Sequence, residues 1–139
     1  MALAPYQGTR ANTLQESAEQ TSDGNSSAVP TPKVARGLVY ILDCTAVGGA
    51  ADTLDVYIQT LLDGVNWLDV AHFAQVLGSG AAIRHVIKQT LTLTQAGFST
   101  ATALGANAVR EMVGSQLRVR WDVSATAPAF TFSVVMVPI

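Results

Sequence analysis

The chain is poor in the residues that usually carry chemistry or covalent bracing. Of its 139 residues one is cysteine, Cys44, and two are histidine, His72 and His85. A single cysteine excludes an intrachain disulfide framework and any multi-cysteine metal site. Charged residues make up only 13% and aromatic residues 6%. With 49% hydrophobic residues and a net charge of −2, most of the chain is too apolar and too weakly charged for disorder. No apolar run approaches the roughly 18 residues that a membrane-spanning helix needs. The opening Met1-Ala-Leu-Ala-Pro-Tyr6 has neither a basic stretch nor a long apolar core, so no secretory leader is expected. These absences leave a soluble single domain as the expectation, with no membrane contact.

The small net charge hides a division. Residues 1–80 carry three basic against eight acidic side chains, a net of −5, whereas residues 81–139 carry five against two, a net of +3. Halves of opposite sign either intermix in the fold as solvated faces or let neighbouring copies attract one another. Beyond the pair Arg118 and Arg120 there is no basic cluster, so no nucleic-acid partner is expected.

Two regions differ in pattern. From Gln7 to Pro32 the chain is rich in Gln, Thr, Ser, Glu, Asn and Gly, and Leu14 is the only large aliphatic residue before Val29. Such a segment cannot by itself bury enough apolar surface to offset its ordering entropy. Residues 1–33 are therefore read as an extended polar arm, either ordered by something outside the domain or laid down as a strand or loop on it. Residues 34–139 are read as the folded domain. There the period is two: Leu38, Tyr40, Leu42 and Cys44 alternate with Val39, Ile41, Asp43 and Thr45, and Leu54, Val56 and Ile58 alternate with Asp55, Tyr57 and Gln59. Asp63-Gly64 marks a tight turn. Residues 66–76 predict a bulged or split strand, and residues 83–94 one long or bent strand. Residues 98–113 have no clean period and fit a loop, a short strand or a helical turn. Leu117, Val119, Trp121 and Val123 form the inward set of a further strand, and Phe130, Phe132, Val134 and Met136 that of the last. Six or seven strands separated by turns, without a convincing helix, predict an all-β antiparallel sandwich or barrel.

Catalytic patterns are not found. Cys44 shares its parity with core residues and reads as a small buried hydrophobe. His85 shares the parity of Ile83 and Ile87 and reads as a core or interface histidine. There is no zinc, calcium or P-loop spacing, and the glycines at 48–49, 78, 80 and 105 form no dinucleotide fingerprint. No catalytic residue, cofactor or metal ligand is expected, and the chain is read as non-enzymatic. A sugar-binding sandwich is the alternative from another class, with Trp67, Trp121, Tyr57 and Tyr40 as possible stacking surfaces. Of these, Trp121 falls on a core parity and Tyr57 is the best exposed.

Two stretches carry a resemblance. Residues 53–76, with Gln59, Asp63-Gly64, Trp67 and Asp69 between two strands, resemble a hairpin of small structural proteins of tailed bacteriophages. Residues 117–134, Leu-Arg-Val-Arg-Trp-Asp-Val-Ser through the Pro128-Ala-Phe-Thr-Phe run, are similar to the closing hairpin of the same proteins. Size and polar arm make capsid decoration, or cement, proteins the nearest of these. The resemblance implies a jelly-roll-like sandwich without enzymatic activity on the exterior of the virion, made in the bacterial cytoplasm. It implies as partners the major capsid protein, whose subunits are bridged, and other copies of the chain, as dimers or trimers. A head–tail or tail component is the neighbouring reading. The residues that recur in the likeness (Asp63, Gly64, Trp67, Arg118, Trp121, Phe132) read as fold-determining, so no site carries over. The departure is Leu61-Leu62, which replaces a more polar turn and is a candidate contact patch. Interface candidates are then Tyr6, Arg10 and Leu14 on the arm, Leu61 and Leu62 at the turn, and Arg118 and Arg120 on one strand face.

Overall fold

The structure is a computed structural model and describes residues 11–33, 36–91, 97–100, 103–124 and 128–139. The described residues build two antiparallel sheets packed face to face. The first holds β1 (Asn12–Gln20), β4 (Gly37–Ala46), β8 (Ile83–Thr90) and β10 (Phe130–Pro138), in the order β1-β10-β4-β8. The second holds β2 (Gly24–Asn25), β3 (Val29–Pro30), β5 (Thr53–Leu61), β6 (Trp67–His72), β7 (Val76–Leu77) and β9 (Gln116–Ser124). Within it β2 and β3 lie on one edge of β9, and β6 and β7 on one edge of β5. Each of those pairs acts as one interrupted strand, so the second layer is also four strands wide. Links at β1–β2, β3–β4, β4–β5, β7–β8, β8–β9 and β9–β10 pass from one layer to the other, and the resulting order is that of a jelly roll.

The period-two reading of the sequence describes the core. Leu38, Tyr40, Leu42 and Cys44 point inward from β4, and Phe130, Phe132, Val134 and Met136 from β10, all essentially inaccessible. Leu54, Val56 and Ile58 meet them from β5, and Leu117, Val119 and Trp121 from β9. Trp121 and Phe132 join the layers edge to face, with ring centroids 5.6 Å apart. Each fully buried aliphatic or aromatic side chain contributes about 1.5–3 kcal/mol of transfer free energy. The amide side chain of Gln89 is enclosed with them. Gln89 accepts from the Tyr40 hydroxyl at 2.6 Å and donates to the carbonyls of Arg110 and Met112 at 2.5 and 3.0 Å.

Residues 66–76 are a split strand, as their imperfect alternation indicates, with a register shift opposite Ile58 and Gln59. The strand expected over residues 83–94 ends at Thr90, and residues 92–96 lie outside the described set. Of the region 98–113, residues 107–110 run along β6. His72 N donates to Ala108 O, Asn107 N to His72 O and Arg110 N to Val70 O, and Val109 bridges Ala71. Asn107 takes a left-handed φ of 62°, which an Asn side chain tolerates better than most.

The arm requires a correction at its boundary. Residues 12–20 are the edge strand β1 on β10, and residues 24–30 supply β2 and β3 on β9. A domain starting at residue 34 would lack an edge strand of each sheet. Local composition does not reveal this, because an edge strand needs few inward side chains. Here Leu14 reaches the core, 5% exposed, and Val29 packs against it. The open hydrogen-bonding edges of β9 and β10 supply the rest. Leu14 is therefore a core residue and not a docking anchor.

Candidate functional site

The outward face of the second sheet is built by three strands whose outward positions alternate with the core set. Antiparallel register aligns these positions in rows. Leu61 lies opposite Gln116 and Trp67, Gln59 opposite Arg118 and Asp69, Tyr57 opposite Arg120 and His72, and Asp55 opposite Asp122. The side chains interlock from end to end. Arg118 lies 4.2 Å over the Trp67 ring and donates to Gln59 at 2.8 Å, and Gln59 donates to Asp69 at 2.8 Å. Arg120 donates to Asp122 at 2.7 Å and to Asp69 at 3.3 Å, with its guanidinium 3.9 Å over Tyr57. Tyr57 stacks on His72 at 3.9 Å, and Asp55 accepts from Gln75 at 2.9 Å and faces His72 Nε2 at 3.0 Å.

Electrostatics within this lattice follow from its half-buried position. Asp55 and Asp122 are directly opposed, a destabilising arrangement by itself; Arg120, His72 and Gln75 offset it. Burial lowers the Arg120 guanidinium pKa, but hydrogen bonds and charge from Asp122 and Asp69 outweigh it and hold Arg120 above its ordinary value. Arg118 is pulled below its ordinary value by burial and by the like charge of Arg120. Burial, with Asp55 nearby, pushes the Tyr57 hydroxyl up.

His72 and Asp55 resemble two members of a catalytic triad, but the geometry differs from one. His72 Nδ1 is 2.8 Å from the Leu104 carbonyl and Nε2 faces Asp55, so both ring nitrogens meet acceptors and neither is open to a nucleophile. Cys44 is 1% exposed, its thiol pushed up by burial and turned to the Ala46 carbonyl. Asp63 caps its own turn, accepting from the amides of Val65 and Asn66 and from the Asn66 side chain. No group of three His, Cys, Asp or Glu side chains suited to a metal ion occurs among the described residues.

At the Trp67 end the lattice borders an open groove of about 560 Å³ lined by Leu62, Asp63, Asn66, Trp67, Leu68, Phe98 and Thr100. Arg110 lies 4.5 Å over Phe98, as Arg118 does over Trp67.

The structure brings Arg118, Arg120 and Leu61 onto one face and sets Leu62, 48% exposed, in the adjoining groove. Leu14 lies apart in the core, and Tyr6 and Arg10 fall outside the described residues. Sequence reasoning did not find the partners of the two arginines, namely Trp67 and Gln59 for Arg118 and Asp69, Asp122 and Tyr57 for Arg120. Parity alone shows that they point outward; which of them meet depends on register. Comparison of the chain with protein-family models, with curated proteins and with solved structures finds no match.

Proposed function

We propose that the chain is a virion structural protein of a tailed bacteriophage, a non-enzymatic decoration protein that sits on the outside of the capsid and bridges major capsid protein subunits. The observation that carries this reading is the strand order. A jelly roll is an architecture of viral capsid and lectin domains, and the two phage-like stretches of the sequence fall within it, the first as the paired strands β5–β6 and the second on β9 and β10. Strands β9 and β10 follow one another in sequence but lie in different sheets, so that stretch is not the closing hairpin the likeness implied. The interlocked outer face adds support, because a rigid surface with its side chains already paired loses little side-chain entropy on docking. The test is co-sedimentation of the purified chain with mature heads stripped of it. Saturable binding supports the proposal; binding to tails alone moves the protein to the tail, and binding to neither overturns it.

The groove beside Trp67 favours one second reading, a sugar-binding module, since it joins two aromatic rings to Asp63, Asn66 and Thr100. A glycan-array signal that Trp67→Ala abolishes, in a protein that does not bind heads, would establish that reading instead.

A further inference from the structure

The edges of the two sheets are not equivalent. Edge strand β1 is bulged, with register shifts between Thr13 and Gln15 and between Gln15 and Ala18. The edge beside β9 is broken into β2 and β3, of two residues each, and β3 ends in Pro30. The edge formed by β6 and β7 is interrupted, and residues 107–110 run along β6. Bulges, breaks, prolines and covering segments keep an edge from pairing with another chain. Strand β8 has none of these. It pairs with β4 without a register shift from Ile83 to Thr90, contains no proline and has no second neighbour among the described residues.

The register fixes which backbone groups this edge leaves open. Antiparallel pairs alternate between residues that exchange both main-chain hydrogen bonds and residues that exchange none. Gly37 and Ile139 exchange both, at 3.2 and 2.9 Å, so Gly37, Val39 and Ile41 bond to β10. Leu91 N donates to Arg36 O at 2.8 Å, and in the same register Gln89, Ile87, His85 and Ile83 bond to Leu38, Tyr40, Leu42 and Cys44. The N–H and C=O groups of Arg84, Val86, Lys88 and Thr90 therefore point away from β4, into the open edge. The side chains of these residues lie on the outward face, where Val86 is 61% exposed and Arg84 and Lys88 are exposed as well.

An open edge is completed by an extended backbone, and charge indicates the composition of that backbone's side chains. Strand β8 carries Arg84 and Lys88 and no acid. Arg84 shares Asp43 at 3.2 Å, whereas Lys88 has no acid partner among the described residues. Two β8 strands laid side by side would gather both copies' Arg84 and Lys88 on one face, and like charges on adjacent strands repel. An incoming strand with an acid facing Lys88 and an apolar side chain facing Val86 avoids that conflict. We infer that the edge of β8 accepts an extended, acid-bearing segment of a partner protein as an added β-strand. Main-chain hydrogen bonds supply the affinity of such a contact, and alternate side chains its specificity. The inference rests on the proposed function only for the source of the segment, a capsid subunit.

Two capped peptides test it on the full chain without phage heads: Thr-Glu-Thr-Val-Thr-Glu-Thr, and the same sequence with Lys in place of Glu. At about 1 mM, the affinity range of one short strand, the glutamate peptide is expected to shift the amide resonances of Arg84, Val86, Lys88 and Thr90. The lysine peptide should do so several-fold more weakly. Val86→Pro removes an N–H that β4 does not use, so the variant should melt like the wild type and lose the response. Lys88→Glu leaves the backbone untouched and should abolish the preference for the glutamate peptide, which keeps the test decisive if the proline variant does not fold. No shift with the glutamate peptide, shifts confined to β1 or β6, a folded Val86→Pro that still responds, or an equal response to both peptides would each overturn the inference. On stripped heads Val86→Pro should bind at least tenfold more weakly; undiminished binding overturns the inference and leaves the proposed function standing. Failure of the wild type to bind heads overturns the proposed function, and the peptide titration still decides the edge.

Discussion

Gln89 shows what one residue contributes when it is a polar member of an apolar core. With no exposure, it satisfies the Tyr40 hydroxyl and two main-chain carbonyls. Gln89→Ala leaves all three without a partner and opens a cavity, and should cost about 2–4 kcal/mol in urea unfolding. Gln89→Leu together with Tyr40→Phe should cost less than the two single changes added, because the double change removes donor and acceptor at once. Asp63 is the residue to follow by acid titration. Hydrogen bonds from Asn66 and then Val65 lower its pKa from 3.8 to about 2. The folded state therefore favours the carboxylate; that stabilisation is complete above the ordinary value and is lost as pH falls toward 2. Asp63→Asn should flatten the dependence of the melting temperature on pH in that window by lowering it at neutral pH, with little change near pH 2.

Among elements, the edge formed by residues 12–30 depends most on contacts distant in sequence. Trp121 Nε1 donates to Ser22 O at 3.0 Å, Val123 N to Asp23 at 2.8 Å and Val119 N to Ser26 at 2.8 Å. Gly24 lies against the Trp121 indole so closely that a Cβ there would come within 2.7 Å of Cζ2. Gly24→Val should displace the indole or lift β2 from β9, seen as a red-shifted Trp emission and a lower melting temperature. A chain beginning at Lys33 loses an edge strand from each layer and uncovers β9 and β10. Its expected outcome is loss of the cooperative thermal transition, or aggregation through the bared edges. Circular dichroism and light scattering distinguish these outcomes from a domain that melts normally without the segment. The polar sequence of β1 made an arm and a strand equally legible. What decides between them is the free edge of β10, more than a hundred residues away.

Over the whole molecule, nearly every strand pairs with one remote in sequence; β5 with β6 is the near exception, and β9 with β10 are neighbours in sequence but lie in different layers. Loops must close before most of these pairings form, so refolding is expected in the millisecond-to-second range typical of all-β sandwiches. A single core should make Trp fluorescence and far-ultraviolet circular dichroism report one coincident transition. A separate early transition in either signal would show that the layers unfold independently.

The sequence alone determined the inward residues of β4, β5, β9 and β10, the turn at Asp63-Gly64 and the all-β class. Strand parity and turn chemistry are local, set by which side chains alternate and by the φ of 82° that Gly64 adopts. Only the tertiary structure decided that Leu14 is core, that Arg118 and Arg120 are held by Gln59, Asp69 and Tyr57, and that alternate amides of β8 face an open edge. Each of these depends on which strand lies beside which, and pairing is fixed by the joint burial of all the inward faces. No single stretch of the chain contains that information.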